Sequence, residues 1–292
     1  MTLKQLPLLQ QRIIVSIIGS LIVWMAIYFS IMPLFKPFFS LLIAGMISFA
    51  MLELYQIAQT KNFEPAKVLG LSIAFCYTTA VTISSQYSSS FAKILPEMTL
   101  LASFLMCFLY YFVKGSSPLS NLSVMIFSIA YLVIPLSCMI SIVYFFSDGS
   151  DDGRLWLLYA ISTAKMTDMG GYFFGKKYGK QPLAPYISPK KTREGALGGI
   201  AVAIVTGWAV ILFAKIFAVP FSLHPGISIV LSAVIAIAAQ VGDLAESLLK
   251  RDGGVKDSSH LPGLGGVLDI VDSLIFAIPL VYIFLKINFM YN

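Results

Sequence analysis

The chain has 292 residues, 58% of them hydrophobic and only 12% charged, with a formal net charge of +6. Soluble domains carry about 25% charged residues, so a globule of this size could not hide so much apolar surface from water. The apolar runs are long and lack the two-residue alternation of barrel strands, which leaves an all-α polytopic membrane bundle.

In chain order, hydropathy predicts nine spans, approximately Ile13–Phe35, Phe38–Ile57, Val68–Ser85, Ile94–Val113, Leu119–Phe146, Leu155–Phe174, Ala196–Phe217, Gly226–Leu249 and Gly266–Ile287. The first run is too long for the core of a signal peptide and is read as a retained helix. The fifth is overlong and carries Pro135, which predicts a kink or tilt. Residues 1–150 thus hold spans one to five, and residues 151–292 hold the remaining spans and most of the acidic and glycine-rich patterns. Cys76, Cys107 and Cys138 stand singly in apolar runs and read as small buried hydrophobes, and His224 and His260 are isolated. Any metal should therefore be a hard cation held by oxygen.

With nine spans, most Lys and Arg residues fall on one side, in loops that carry Lys61, Lys114, Lys176, Lys190 and Lys250 among others. The opposite side holds only Lys36, Lys93, Arg154, Lys215 and Lys286. The positive-inside rule places the first set in the cytoplasm and the C-terminus outside. The short loops and the absence of a transit segment point to a bacterial inner membrane, with the bilayer rather than nucleic acid as the partner of the basic loops.

Ionisable groups inside spans are costly and mark function by default. Asp168 falls near the cytoplasmic end of span six, Asp243 and Glu246 lie in span eight, and Asp269 and Asp272 open span nine. The last four form two i,i+3 pairs, each on one helix face, so five carboxylates converge at one depth. Glu246 has Lys250 at i,i+4 and Lys165 has Asp168 at i,i+3, so part of this set reads equally as ion pairs. The acids still exceed the expected buried cations. Like charges so close need a divalent cation, for which Mg2+ is the candidate, and a second cation is left open.

Two basic, glycine-rich loops accompany the acids. In the first, Ser188 and Thr192 bracket Lys190 and Lys191 just before a predicted helix start. Free backbone N–H groups, a positive helix end and ammonium groups suit an oligophosphate. Gly195 and Gly199 in that helix read as a packing pair. The second loop runs from Lys250 to Asp269. Acids for a metal, Lys and Arg for phosphates and a membrane setting suggest phosphoryl or nucleotidyl transfer onto a lipid.

These loops resemble those of the phosphatidate cytidylyltransferase (CDP-diacylglycerol synthase) family. The resemblance is carried by Ser247, Lys250, Arg251, Lys256, Asp257, Pro262, Gly263, Gly265, Gly266, Asp269 and Asp272 in that order, by Gly242-Asp243 with Glu246-Ser247, by Thr167-Asp168, and by the run Ser188 to Gly195. It covers roughly Asp152 to the C-terminus. Leu264 stands where the family has His, Ile270 where it has Arg, and one residue is missing between Leu261 and Pro262.

The resemblance implies cytidylyl transfer from CTP to phosphatidate, with Asp243 and Asp269 as metal ligands. It implies Ser188, Lys190, Lys191, Thr192, Arg251 and Lys256 as phosphate holders, Lys250, Asp257 and Asp272 as further catalytic residues, and a homodimer. The alternatives are another CTP-dependent membrane lipid enzyme, such as a polyisoprenol or phytol kinase or a different CDP-lipid synthase, and an impaired homologue. A transporter fits poorly, since its ionisable groups would lie at the bilayer midplane rather than towards one face.

Overall fold

A computed structural model describes residue 19 and residues 21–146, 149–255 and 266–289. It is almost wholly helical. Residues 21–29 form α1. Then follow α2 (Lys36–Gln59), α3 (Lys67–Gln86), α4 (Ser90–Lys114), α5 (Pro118–Ser128), a π-helical turn (Ile129–Val133), α6 (Ile134–Val143) and α7 (Gly153–Tyr178). A hairpin of β1 (Pro182–Ala184) and β2 (Ser188–Thr192) precedes α8 (Arg193–Ile216), α9 (Pro225–Asp252) and α10 (Val267–Phe289).

Among the described residues, seven helices are long and apolar enough to cross a membrane: α2, α3, α4, the continuous Pro118–Val143 segment, α8, α9 and α10. The chain is an all-α polytopic membrane protein. Helix α7 has 26 residues, enough to span, but Lys165, Asp168 and its Gly, Ser and Thr residues lower its apolarity.

Pro135 lies just after the π turn in the predicted fifth span. A proline lacks an N–H, and its ring presses on the carbonyl four residues back, here Tyr131. The wider π turn takes up that misfit inside the span.

The chain divides into two compact units, residues 1–133 with 252–271, and residues 134–251 with 272–292. In the first, Tyr55 Oη hydrogen-bonds Ser128 Oγ at 3.0 Å, and the Asn121 side chain accepts from Glu64 N at 2.7 Å. The Glu53 carboxylate accepts from Val267 N at 2.8 Å and Leu268 N at 2.7 Å, capping the start of α10. Large apolar residues such as Leu101, Leu105 and Phe112 face outward on α4, as a lipid solvent favours.

In the second unit, α7 and α8 lie in close contact. A Cβ at Gly195 would come within 2.6 Å of the Gly171 carbonyl oxygen, and one at Gly199 within 2.8 Å of that of Thr167. Only glycine permits that approach, so Gly195 and Gly199 are the packing pair expected of them. Trp156 is fully buried against Phe221 and Phe284, and its indole donates to Asp151.

The hairpin is the one sheet among the described residues. Pro182 pairs with Thr192 and Ala184 with Ser188, antiparallel with an irregular register. Pro182 and Pro189 lie in the strands and Pro185 in the turn between them, in a stretch that reads as loop in the sequence.

Candidate active site

Helix α8 begins where β2 ends. Thr192 is its N-cap, with Oγ1 accepting from Gly195 N at 3.1 Å. Glu194 in the first turn accepts from Lys180 N at 2.9 Å and Gln181 N at 3.3 Å, tying the hairpin's entry to the helix start. This fold-back carries Lys190 and Lys191 over α7 and α9, where they border a cavity of about 380 Å³. Lys176, Lys190, Lys191 and Thr192 line it together with Asp168, Gln240 and Asp243. The Gln240 amide donates to Ala196 O at 3.1 Å, which fixes α9 against the start of α8.

Asp243, Glu246 and Asp272 each place a carboxylate oxygen within 4.8 Å of the others. Gly242 lets α9 and α10 come this close, since any Cβ there would collide with the Asp272 carbonyl oxygen. Each of the three acids has a lysine. Lys191 pairs with Asp243, Lys250 with Glu246 at 2.6 Å, and Lys165 with Asp272 at 3.8 Å. Lys165 also stands 3.9 Å from Asp168. The expected surplus of acid over buried cation is thus smaller in this unit than the sequence suggests. Lys191 returns along β2, and Lys165 lies one turn before Asp168.

The expected ion pairs, Glu246 with Lys250 and Lys165 with Asp168, both form. Glu246 and Lys250 are buried. Arg251, expected at a phosphate, donates from Nε to the Ile187 carbonyl of the hairpin at 3.3 Å. Ser188 sits half-buried at the start of β2, outside the cavity wall. Asp269 lies one turn before Asp272 on α10, and its Oδ2 accepts from Gly266 N at 2.8 Å. Lys256, Asp257 and the departures at Leu264 and before Pro262 lie outside the described residues. Ile270 is 38% exposed.

Sequence reasoning did not single out Glu53, whose partners Val267 and Leu268 are more than 200 residues away. The one available signal was a lone carboxylate in an apolar run. The three clustered carboxylates fit a hard divalent cation. Their oxygens are close enough to share one ion, and neither His nor Cys belongs to the group.

The Cytidylyltransferase family matches residues 10–288. A phosphatidate cytidylyltransferase of Chlamydia pneumoniae is 31% identical over 289 residues, 95% of this chain and 92% of that protein. One from Chlamydia trachomatis is 37% identical over 177 residues, 59% of this chain and 57% of that protein. One from Staphylococcus aureus is 39% identical over 155 residues, 51% of this chain and 58% of that protein. The last two matches thus span less than two thirds of those relatives' own length. The match to the family runs the length of the described helices, through the hairpin and the carboxylate cluster alike, and the chain belongs to the cytidylyltransferase family.

Proposed function

We propose that the protein transfers the cytidylyl group of CTP to phosphatidate, giving CDP-diacylglycerol and pyrophosphate. The observation that carries this reading is the cavity whose wall joins Lys176, Lys190 and Lys191 to Asp168 and Asp243. It offers ammonium groups to a triphosphate and carboxylates to the cation that accompanies one. The curated relatives bear the name of this activity.

A phosphatidate phosphate oxygen attacks the α-phosphorus of CTP. The bond from that phosphorus to the bridging oxygen breaks in line, and pyrophosphate leaves with the electron pair. Phosphatidate arrives as an anion, so no general base is required, and catalysis is mostly positioning and charge neutralisation. Lys190 and Lys191 hold phosphates, with Thr192 and the start of α8 supplying hydroxyl and backbone donors. By the resemblance, Ser188, Arg251 and Lys256 also hold phosphates. Lys250 also holds phosphate, and Asp168, Asp257 and Asp272 serve as orienters or additional ligands. By the resemblance, Asp243 and Asp269 would hold Mg2+, which would offset the negative charge of the phosphates. Glu246 and Asp272 are the carboxylates beside Asp243.

Residues 151–292 carry the chemistry in this reading, and residues 1–150 form the membrane scaffold. The lipid enters sideways between helices with its tails in the bilayer. The site faces the cytoplasm of a bacterial cell, where CTP is made, and the working form is a homodimer.

The test is purified protein incubated with phosphatidate and CTP labelled at the α-phosphate, followed by lipid extraction. Label should appear in CDP-diacylglycerol with one pyrophosphate released. Label in lipid only from γ-labelled CTP would assign a kinase instead and overturn the reading.

A further inference from the structure

Lys165 lies inside α7, where a charge is costly and needs a reason, and neither basic loop includes it. Its ammonium donates to Ser273 Oγ at 2.7 Å. The same nitrogen stands 3.8 Å from Asp272 Oδ1 and 3.9 Å from Asp168 Oδ2. The serine takes a full hydrogen bond, while both carboxylates are held by charge at a distance beyond a good hydrogen bond. Asp272 is turned further, since its Oδ1 accepts from Ser273 N. Lys165 therefore grips α10 at two adjacent residues and α7 at a third. The cavity wall is formed by Asp168, one turn on, and not by Lys165.

We propose that Lys165 is a positioning residue. It spaces the Asp168 and Asp272 carboxylates around one ammonium group and offsets part of their negative charge, so that the acid cluster holds a divalent cation loosely and in one geometry. The proposal rests on the reading of Asp243, with the acids beside it, as part of the transferase's cation site. Lys165 does not line the cavity, which separates it from Lys190 and Lys191. Removing it leaves two neighbouring carboxylates without their shared cation, and such a pair takes up a divalent ion more avidly while losing its fixed spacing.

The experiment compares wild type, Lys165→Met and Lys165→Arg in detergent. Mn2+ binding without substrates is followed by electron paramagnetic resonance, and CTP kinetics are measured in parallel. Lys165→Met should bind Mn2+ about tenfold more tightly, a modest effect for one charge about 4 Å away. It should lose kcat with little change in KM for CTP, and Lys165→Arg should restore most of both properties. Unchanged Mn2+ affinity in folded Lys165→Met, or a kcat loss no larger than the loss of folded protein, overturns the proposal. If Lys165→Met does not fold, Lys165→Gln is read by the same criteria. Wild type that binds Mn2+ but makes no CDP-lipid would sink the transferase reading, while the Mn2+ comparison still decides the role of Lys165.

Discussion

The Lys191 ammonium pairs with the Asp243 carboxylate, joining β2 to α9 at the wall of the cavity. Asp243→Asn keeps the shape and removes the charge, and a carboxamide is a poor Mg2+ ligand. Cytidylyl transfer should fall to background. Melting temperature should change less than for a fully buried pair, because both side chains are 28% exposed and both line the cavity. Normal CDP-lipid formation by this variant would remove Asp243 from the mechanism.

Glu246→Gln is expected to behave in the opposite sense. Its partner Lys250 is buried on the same helix, so the substitution takes away the carboxylate that stands 2.6 Å from that ammonium group. Breaking a buried pair in this way costs about 3–5 kcal/mol. Thermal unfolding in detergent should show a much larger loss than for Asp243→Asn. Equal melting temperatures would mean that the pair contributes no stability.

Gly242→Ala tests the approach of α9 to α10. The added methyl would meet the Asp272 carbonyl, which is backbone and cannot rotate aside. Overpacking of this kind costs about 1–3 kcal/mol, and the displaced helix would carry Asp272 away from Asp243. Stability and turnover should fall together. A fully active, equally stable variant would show that the two helices tolerate more separation than the cluster suggests.

Glu53→Gln weakens the cap on α10. A carboxamide has one oxygen for two backbone donors and no charge for the positive helix end, a loss of about 1–2 kcal/mol. Hydrogen exchange at Val267 and Leu268 should speed up. The same change should reduce turnover, since Asp269 and Asp272 lie within the next two turns. Unaltered exchange there would show that the cap is dispensable.

Orientation is open to a direct measurement. A reporter inserted after Gly179 or Gly253 should read cytoplasmic, as the distribution of Lys and Arg requires. A periplasmic reading at both sites would place the acids and basic loops on the wrong side for CTP.

Much of the helical layout was legible because lipid forces long apolar runs into helices that satisfy their own backbone. Asp168, Asp243 and Asp272 were legible for a related reason, since carboxylates in such runs stand out. The hairpin was not. Its prolines and lysines look like loop, and its pairing of Pro182 with Thr192 depends on where α8 starts. The lysine partners were only half visible. Lys250 falls at helical spacing from Glu246, whereas Lys191 reaches Asp243 through a turn of chain that no periodicity encodes. Glu53 has no local signature for its role, because its two donors belong to the last helix.

That cap also has a consequence for how the chain is made. Glu53 enters the bilayer with the early helices, yet Val267 is 214 residues further along. At about 5–20 residues per second, roughly 10–40 s of synthesis separate the carboxylate from the two amides that it caps. During that interval an acid in an apolar run sits without those donors, a costly arrangement in lipid. The arrival of α10 ends it, so the final helix completes the first unit as it brings Asp269 and Asp272 into place. Biosynthesis thus couples maturation of the early helices to the appearance of the last acids, and a ribosome that stops short of α10 leaves Glu53 without the two amides that it caps.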